Sequence, residues 1–266
     1  MTFAGERTDP VVLIHGAWQG AWVWDRLVPL LSAAGLDAIA LDLPGNGVDQ
    51  TPPGEVSLDL YVSHVRRILE ALDSSSNLIA HSGGGLIASA VAEAAPERVS
   101  RIVYVAGMML PDRSSFAQVV ASVLADDPSA EGVAPHLEWS EDRLSSSVPR
   151  EVALSYFFHD CLEADAHAAA ARLTPQPERG RAVHARLTPG RFGRVPRIYV
   201  EAAADRAVVP ACQQRMQKLV PGASIISLPT GHAPHLAAPQ LLADALLPFL
   251  LVPARPAPRQ FNPVAL

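Results

Sequence analysis

Three residues of this 266-residue chain have the types that nucleophilic catalysis requires: Ser82, Asp205 and His232. A serine hydroxyl is a poor nucleophile near neutral pH. It needs a base within hydrogen-bond reach, and that base needs a carboxylate to hold its tautomer. Each of the three residues lies just past a short apolar run that reads as a buried strand. Ser82 stands in N-L-I-A-H-S-G-G-G-L-I-A-S-A-V-A-E-A-A, from Asn77 to Ala95. Leu78 to Ala80 end a strand, Gly83, Gly84 and Gly85 follow at once, and about ten strong helix formers come next. A strand that turns so sharply into a helix strains the backbone at the bend and admits only small neighbours. The bend pushes the hydroxyl out at the carboxyl end of the sheet, where the new helix also points its free N–H groups. Asp205 falls in A-A-D-R-A-V-V-P, after a strand ending at Ala202. His232 falls in P-T-G-H-A-P-H, after a strand ending at Leu228. Reacting groups in open parallel sheets gather at the carboxyl ends of strands.

The stretch A-H-S-G-G, Ala80 to Gly84, resembles the nucleophile elbow of the α/β-hydrolases, G-x-S-x-G, with alanine in place of the first glycine. The chain order Ser82, Asp205, His232 is the order of that fold. A developing oxyanion also needs donors. The N–H of Gly83, first on the elbow helix, is one. The loop after the first strand, His15-Gly16-Ala17-Trp18, supplies the other, and the glycine there lets the backbone turn inward to present the N–H of Ala17. Other residues fit the roles less well. His235 sits at the start of the last helix, Asp112 lies far into an insertion, and the neighbours of Asp42 read as a structural turn. His81 precedes the serine and should point to the opposite side, where packing is its expected role.

The elements that must position these groups alternate. Strands are expected at Val11–Ile14, Leu36–Leu41, before Ser82, Arg101–Ala106, Arg197–Ala202 and Ala223–Leu228. Helices fall between them: one around Trp24 to Leu31, delayed or kinked by Pro29; one capped by Ser57; the elbow helix, stopped by Pro96; Pro210–Leu219; and Pro239–Leu251. Strand–helix alternation demands parallel strands with right-handed crossovers, here a sheet of about six strands flanked by helices. The core is thus 1–106 with 195–252. From 107 to 194 the rhythm breaks into helical pieces near Ser115–Ala125, Arg150–Cys161 and Ala164–Leu173, with no strand pattern: a helical cap insertion on the rim where the serine lies. Trp18 and the insertion's Met108, Met109, Phe116, Trp139, Phe157 and Phe158 are the candidate pocket residues. Residues 253–266, rich in proline, read as an extended tail.

Hydrophobic residues make up 49% and charged residues 18%, the balance of a globular protein. The net charge of −6, with no basic cluster, argues against nucleic acid. Arg179, Arg181, Arg186, Arg191 and Arg194 are spread among Pro and Gly and read as a solvated loop face. No apolar run approaches the roughly 20 residues of a membrane span, and no leader pattern opens the chain. Cys161 and Cys212 have no metal-ligand spacing and form no disulfide framework, which points to reduced thiols and a cytoplasmic setting. No metal and no cofactor is expected. A homodimer is the default expectation for assembly.

The segments I-H-G-A-W-Q-G-A-W-V-W, L-D-L-P-G-N-G-V-D, Y-F-F-H-D-C and R-L-T-P-Q-P together resemble one branch of the α/β-hydrolases, which holds plant methylesterases, plant hydroxynitrile lyases and bacterial carboxylesterases. The likeness covers roughly Val11 to Leu251. It implies the roles given above to Ser82, Asp205, His232, Ala17 and Gly83, and a small carboxylic ester, apolar or aromatic, as substrate. The lyases of that branch also use a threonine just after the first-strand histidine and a lysine just after the catalytic histidine. Gly16 and Ala233 hold those places here. An alanine supplies no charge for departing cyanide, so the resemblance implies ester hydrolysis over cyanohydrin cleavage. A third class, a small-molecule receptor of this fold with little turnover, fits an intact Ser/Asp/His set poorly.

Overall fold

A computed structural model describes residues 8–72, 74–181 and 183–252; the expected C-terminal tail lies outside them. The strands, in chain order, are β1 (Val11–Ile14), β2 (Ala38–Leu41), β3 (Ser76–His81), β4 (Val99–Val105), β5 (Glu138–Trp139), β6 (Ser145–Ser147), β7 (Gln176–Pro177), β8 (Arg197–Ala202) and β9 (Ala223–Leu228). The helices are α1 (Leu27–Ala33), α2 (Leu58–Ala71), α3 (Gly84–Ala94), α4 (Phe116–Val123), α5 (Arg150–Tyr156), α6 (Glu163–Ala170), α7 (Glu178–Arg181), α8 (Pro210–Leu219), α9 (Pro234–Ala237) and α10 (Pro239–Leu250). Six strands form one parallel sheet in the order β2-β1-β3-β4-β8-β9. No described helix is long and apolar enough to cross a membrane.

Side chains alternate across each strand and feed two cores. Val12, Ile14, Leu78, Ala80, Ile102 and Tyr104 pack on one face against Val65 and Leu69 of α2, Ala88 and Val91 of α3 and Met216 of α8. Val11, Leu13, Ile79, Val103 and Val105 pack on the other against Leu27 and Leu31 of α1 and Leu242 and Leu246 of α10. Leu58 to Leu72 puts its apolar residues at three-four spacing, and the Ser57 hydroxyl caps the helix by accepting the Leu60 N–H. The proline at 29 falls in the first turn of α1, which starts only at Leu27 after a separate 3₁₀ turn at Ala21–Trp24.

The insertion between β4 and β8 departs from the expectation of a purely helical segment. It holds α4 to α7, but also an antiparallel sheet in the order β5-β6-β7. These strands are two or three residues long and read E-W, S-S-S and Q-P. Nothing so short or so polar carries a period-two pattern, so the sequence gives no signal for them.

The turn from β3 into α3 brings backbones close together. A Cβ on Gly84 would lie 2.5 Å from the His15 carbonyl oxygen and 2.9 Å from that of Ile14, and one on Gly85 would lie 2.7 Å from Met108 N. Backbone atoms cannot give way as side chains do. Gly84→Ala should therefore destabilise the fold by about 1–3 kcal/mol, the usual range for overpacking, read as a lower urea midpoint at unchanged m-value.

Candidate active site

Ser82 sits at the bend with φ +49°, in the left-handed region that costs a β-substituted residue strain. Its N–H donates to the Val105 carbonyl at 3.1 Å, and its own carbonyl accepts the N–H groups of Met108 at 2.8 Å and Gly85 at 3.0 Å. Those bonds clamp the strained residue between two strand ends and the helix. The Ser82 hydroxyl makes no hydrogen bond to the described residues. Contacts of this kind often close only when substrate is bound.

Asp205 and His232 meet at the ends of β8 and β9. His232 Nδ1 donates to Asp205 Oδ2 at 2.8 Å, and both side chains are buried, 2% exposed or less. The other carboxylate oxygen accepts the N–H groups of Ala207 at 2.7 Å and Val208 at 3.0 Å. These contacts fix the orientation of the Asp205 carboxylate. It fixes the proton of His232 on Nδ1 and leaves Nε2 as the basic nitrogen. Gln213 of α8 braces the loop, with Nε2 donating to the carbonyls of Ala202 and Val208 and Oε1 accepting the Ala202 N–H.

The N–H groups of Ala17 and Gly83 donate to nothing among the described residues. They are close neighbours, since a Cβ built on Gly83 would fall 3.7 Å from Ala17 N. The loop carrying Ala17 is held from both sides. Gly16 N–H donates to Gln19 Oε1 at 3.1 Å, and Trp18, at φ +62°, donates its N–H to Gln176 Oε1 of β7 at 3.0 Å. His15 completes the turn: it accepts the Leu43 N–H on Nε2 and donates from Nδ1 to the Gly16 carbonyl. Its ring is therefore neutral, and burial lowers its pKa to about 4.

The pocket candidates separate. Trp18, Phe157 and Phe158 cluster at the site. Phe157 stacks on His232 at 5.3 Å between centroids and on Trp18 at 6.0 Å. Met108 is half-buried beside the elbow, and its N–H holds the Ser82 carbonyl. Met109 is fully buried and Phe116 partly so, both in the core under α3 and α4. Trp139 is 41% exposed on β5 beneath the Arg143 guanidinium, away from the cluster. The last three serve packing or surface, because hydrophobicity alone does not say which side of an element faces a cavity.

Several residues at the site escaped the reading from sequence. His81 is buried as expected but does more than pack. It lies between two acceptors, Gln19 Oε1 at 3.0 Å and the backbone carbonyl of His232 at 2.8 Å, and its ring lies 4.6 Å from that of His232. Burial, then the nearby imidazoles of His235 and His232, push its pKa well down. Asp160, in Y-F-F-H-D-C, accepts the Gly231 N–H beside His232. Arg181 is not on a solvated loop face: it forms a two-pronged pair with Glu178, largely out of solvent. Their i, i+3 spacing was the available signal. Asp112 is exposed and accepts the Leu187 N–H inside the insertion. Asp42 accepts the Ala21 N–H at 2.6 Å and shapes its own turn.

A serine on a strand–helix bend, followed in the chain by an Asp–His pair on later strand ends, is a layout suited to covalent hydrolysis. The chain belongs to the alpha/beta hydrolase family, whose model matches residues 11–245. It is 30% identical to a pyrethroid hydrolase of Sphingobium wenxiniae over 92% of this chain and 88% of the relative. It is 31% identical to methylesterase 7 of Arabidopsis thaliana, over 89% and 94% respectively. Among solved structures, the pyrethroid hydrolase of Sphingobium faniae superposes with a TM-score of 0.80 at 27% identity, covering 92% of this chain and 98% of the other.

Among the described residues, His235 has no hydrogen-bond partner on either ring nitrogen, and it is fully buried against Trp24 and His81. Burial lowers its pKa to about 3 from 6.5. A histidine whose folded pKa is lowered binds protons mainly when unfolded, so stability falls as the pH drops below about 6.5 and keeps falling to its folded pKa. His15 and His81 act in the same sense. His235→Phe should thus leave stability at pH 7 equal or higher and flatten the acid slope between pH 6.5 and 4 by up to about 1.4 kcal/mol per pH unit, measured by urea unfolding across that range.

Proposed function

We propose that this protein is a serine carboxylesterase that hydrolyses small apolar or aromatic esters through an acyl-enzyme. The observation that carries the reading is the buried 2.8 Å bond from His232 Nδ1 to Asp205, set behind an elbow serine and beside two unpartnered N–H groups. Relatives named as a pyrethroid hydrolase and as methylesterases support an ester as the substrate.

His232 Nε2 takes the proton of Ser82 as its Oγ attacks the ester carbonyl. The N–H groups of Ala17 and Gly83 stabilise the oxyanion, each contributing about 2.7–4 kcal/mol by analogy with measured donors. The imidazolium then gives its proton to the departing alcohol. Water, deprotonated by the same nitrogen, cleaves the acyl-enzyme. Asp205 stays ionised throughout. The insertion acts as a cap, with Trp18, Phe157 and Phe158 giving the reacting groups an apolar roof. The free thiols Cys161 and Cys212 support a reducing, cytoplasmic setting.

Cyanohydrin cleavage is disfavoured by space as well as by charge. A Cβ at Gly16 would lie 2.9 Å from His81 Nδ1 and from Ser82 Cβ, so a threonine has no room there. Ala233 is fully buried and brings no cation.

Ser82→Ala should lower kcat for p-nitrophenyl acetate or butyrate by at least about 10³-fold, given losses near 10⁶ when a triad nucleophile is removed elsewhere. Turnover unchanged from wild type would overturn the assignment.

A further inference from the structure

A narrow, open-mouthed cleft of about 20 Å³ lies beside Ala17 and Gly83. His15, Leu43, Tyr61 and Ile87 wall it from the core, and Gln176 and Arg181 from the insertion. The insertion presses close: a Cβ on Gly180 would fall 2.4 Å from the Tyr61 ring.

Most polar groups in this cleft are already committed. Gln176 Oε1 accepts from Trp18 N and Asn46 Nδ2, and its Nε2 donates to Tyr61 Oη and the Pro177 carbonyl. Tyr61 donates to Asn46 Oδ1 at 3.1 Å. Both nitrogens of His15 are used by backbone. Arg181 differs. Its Nε and Nη2 hold Glu178 at 2.7–3.0 Å, its guanidinium lies 5.1 Å from the centre of the Trp18 ring, and its Nη1 has no partner among the described residues. Glu178 in turn accepts from Ser146, whose hydroxyl and carbonyl both accept the Trp18 indole N–H. The guanidinium is thus fixed in place with one donor group to spare.

The sheet order says which part of an ester meets it. The departing alcohol must lie toward His232, which protonates it, and His232 follows β9. The cleft opens past β1 and β2, on the other side of Ser82. The acyl group therefore enters the cleft. Arg181 and Glu178 cancel in charge, so a carboxylate brought there would be drawn by one and repelled by the other while losing its water. An uncharged oxygen avoids that cost and still accepts a charge-assisted hydrogen bond.

We propose that Arg181 is a specificity-determining residue that binds an uncharged oxygen acceptor, a ketone or ether oxygen, on the acyl part of the ester. This rests on the esterase reading and refines its substrate class. The test compares kcat/KM for the methyl esters of 3-oxobutanoate, 4-oxopentanoate and 5-oxohexanoate with esters in which a methyl branch replaces the oxo oxygen, and with monomethyl succinate and glutarate. In the wild type at least one oxo ester should exceed its methyl-branched counterpart by about tenfold, in keeping with a hydrogen bond to a charged group, and should exceed both half-esters. Arg181→Met should bring that ratio to about one. Glu178→Gln, which leaves the guanidinium charge unbalanced, should shift preference about tenfold toward the half-esters. Each ratio is taken within one protein sample, so partial folding cancels. Ratios near one at every position in the wild type, an oxo preference that survives Arg181→Met, or no shift in Glu178→Gln would overturn the proposal. In each of those cases, turnover of the branched esters leaves the esterase reading standing; a wild type inert to every ester overturns both.

Discussion

The structure depends on holding one residue, Ser82, in a backbone conformation it would not choose. A φ of +49° on a residue with a Cβ costs of order 1–3 kcal/mol, and the surroundings must over-determine it. They do so with bonds from three directions: to Val105 at the end of β4, from Met108 in the segment beyond, and from Gly85 in the helix it starts. Gly84 and Gly85 are the steric condition for this, because α3 can leave the sheet so abruptly only if nothing projects at its first turn. Trp18 and Ala106, at φ +62° and +44°, carry the same kind of strain in the adjoining strand-end segments. Three strained, non-glycine residues around one point are what a sheet edge looks like when it is shaped for something other than stability.

The insertion is structurally part of that point rather than an appendage. Phe157 covers the outer face of the His232 ring, and Asp160 takes the N–H of Gly231 just before it. On the far side, β6 and β7 hold Trp18 through its indole and backbone N–H groups. The same segment therefore steadies the His232 loop at one end and the Ala17 loop at the other. Its largely buried Glu178–Arg181 pair joins the Trp18 end through Ser146 and leaves one guanidinium nitrogen unpaired among the described residues. A buried ion pair is a poor source of stability but a good source of fixed geometry.

The core was legible in the sequence because it obeys periodic rules. Val11–Ile14 and Arg197–Ala202 are apolar runs bounded by breakers, and α2 repeats at three-four spacing. The places of Ser82, Asp205 and His232 were legible for the same reason: each lies just past such a run. What the pattern could not supply were interactions between segments distant along the chain. The strands β5 to β7 exist only through pairing with one another. Arg181 looked like a loop cation because nothing local marks Glu178 as buried. Trp139 and Phe157 are both aromatic residues of the insertion, yet one faces water and the other the His232 ring. That difference is set by tertiary packing, to which composition is blind.

His81 shows the same limit most sharply. Alternation along β3 places it opposite Ser82 in direction, and this much is correct. But the opposite side at the end of this strand is not the apolar core. It is a pocket of imidazoles in which His81, His232 and His235 lie within 4.6 Å of one another in sequence of contact, with Trp24 behind them. From there His81 faces the backbone carbonyl of His232 and Gln19 Oε1, the oxygen that also accepts the Gly16 N–H, and with one N–H on a neutral ring it donates to only one of the two. One ring thus stands between the end of β3 and the loops that follow β1 and β9. Donating to both at once would take the doubly protonated ring, which burial disfavours, so the ring serves one acceptor at a time. Complete burial lowers the pKa of both His81 and His235, a consequence of packing these two rings together against Trp24 and away from water.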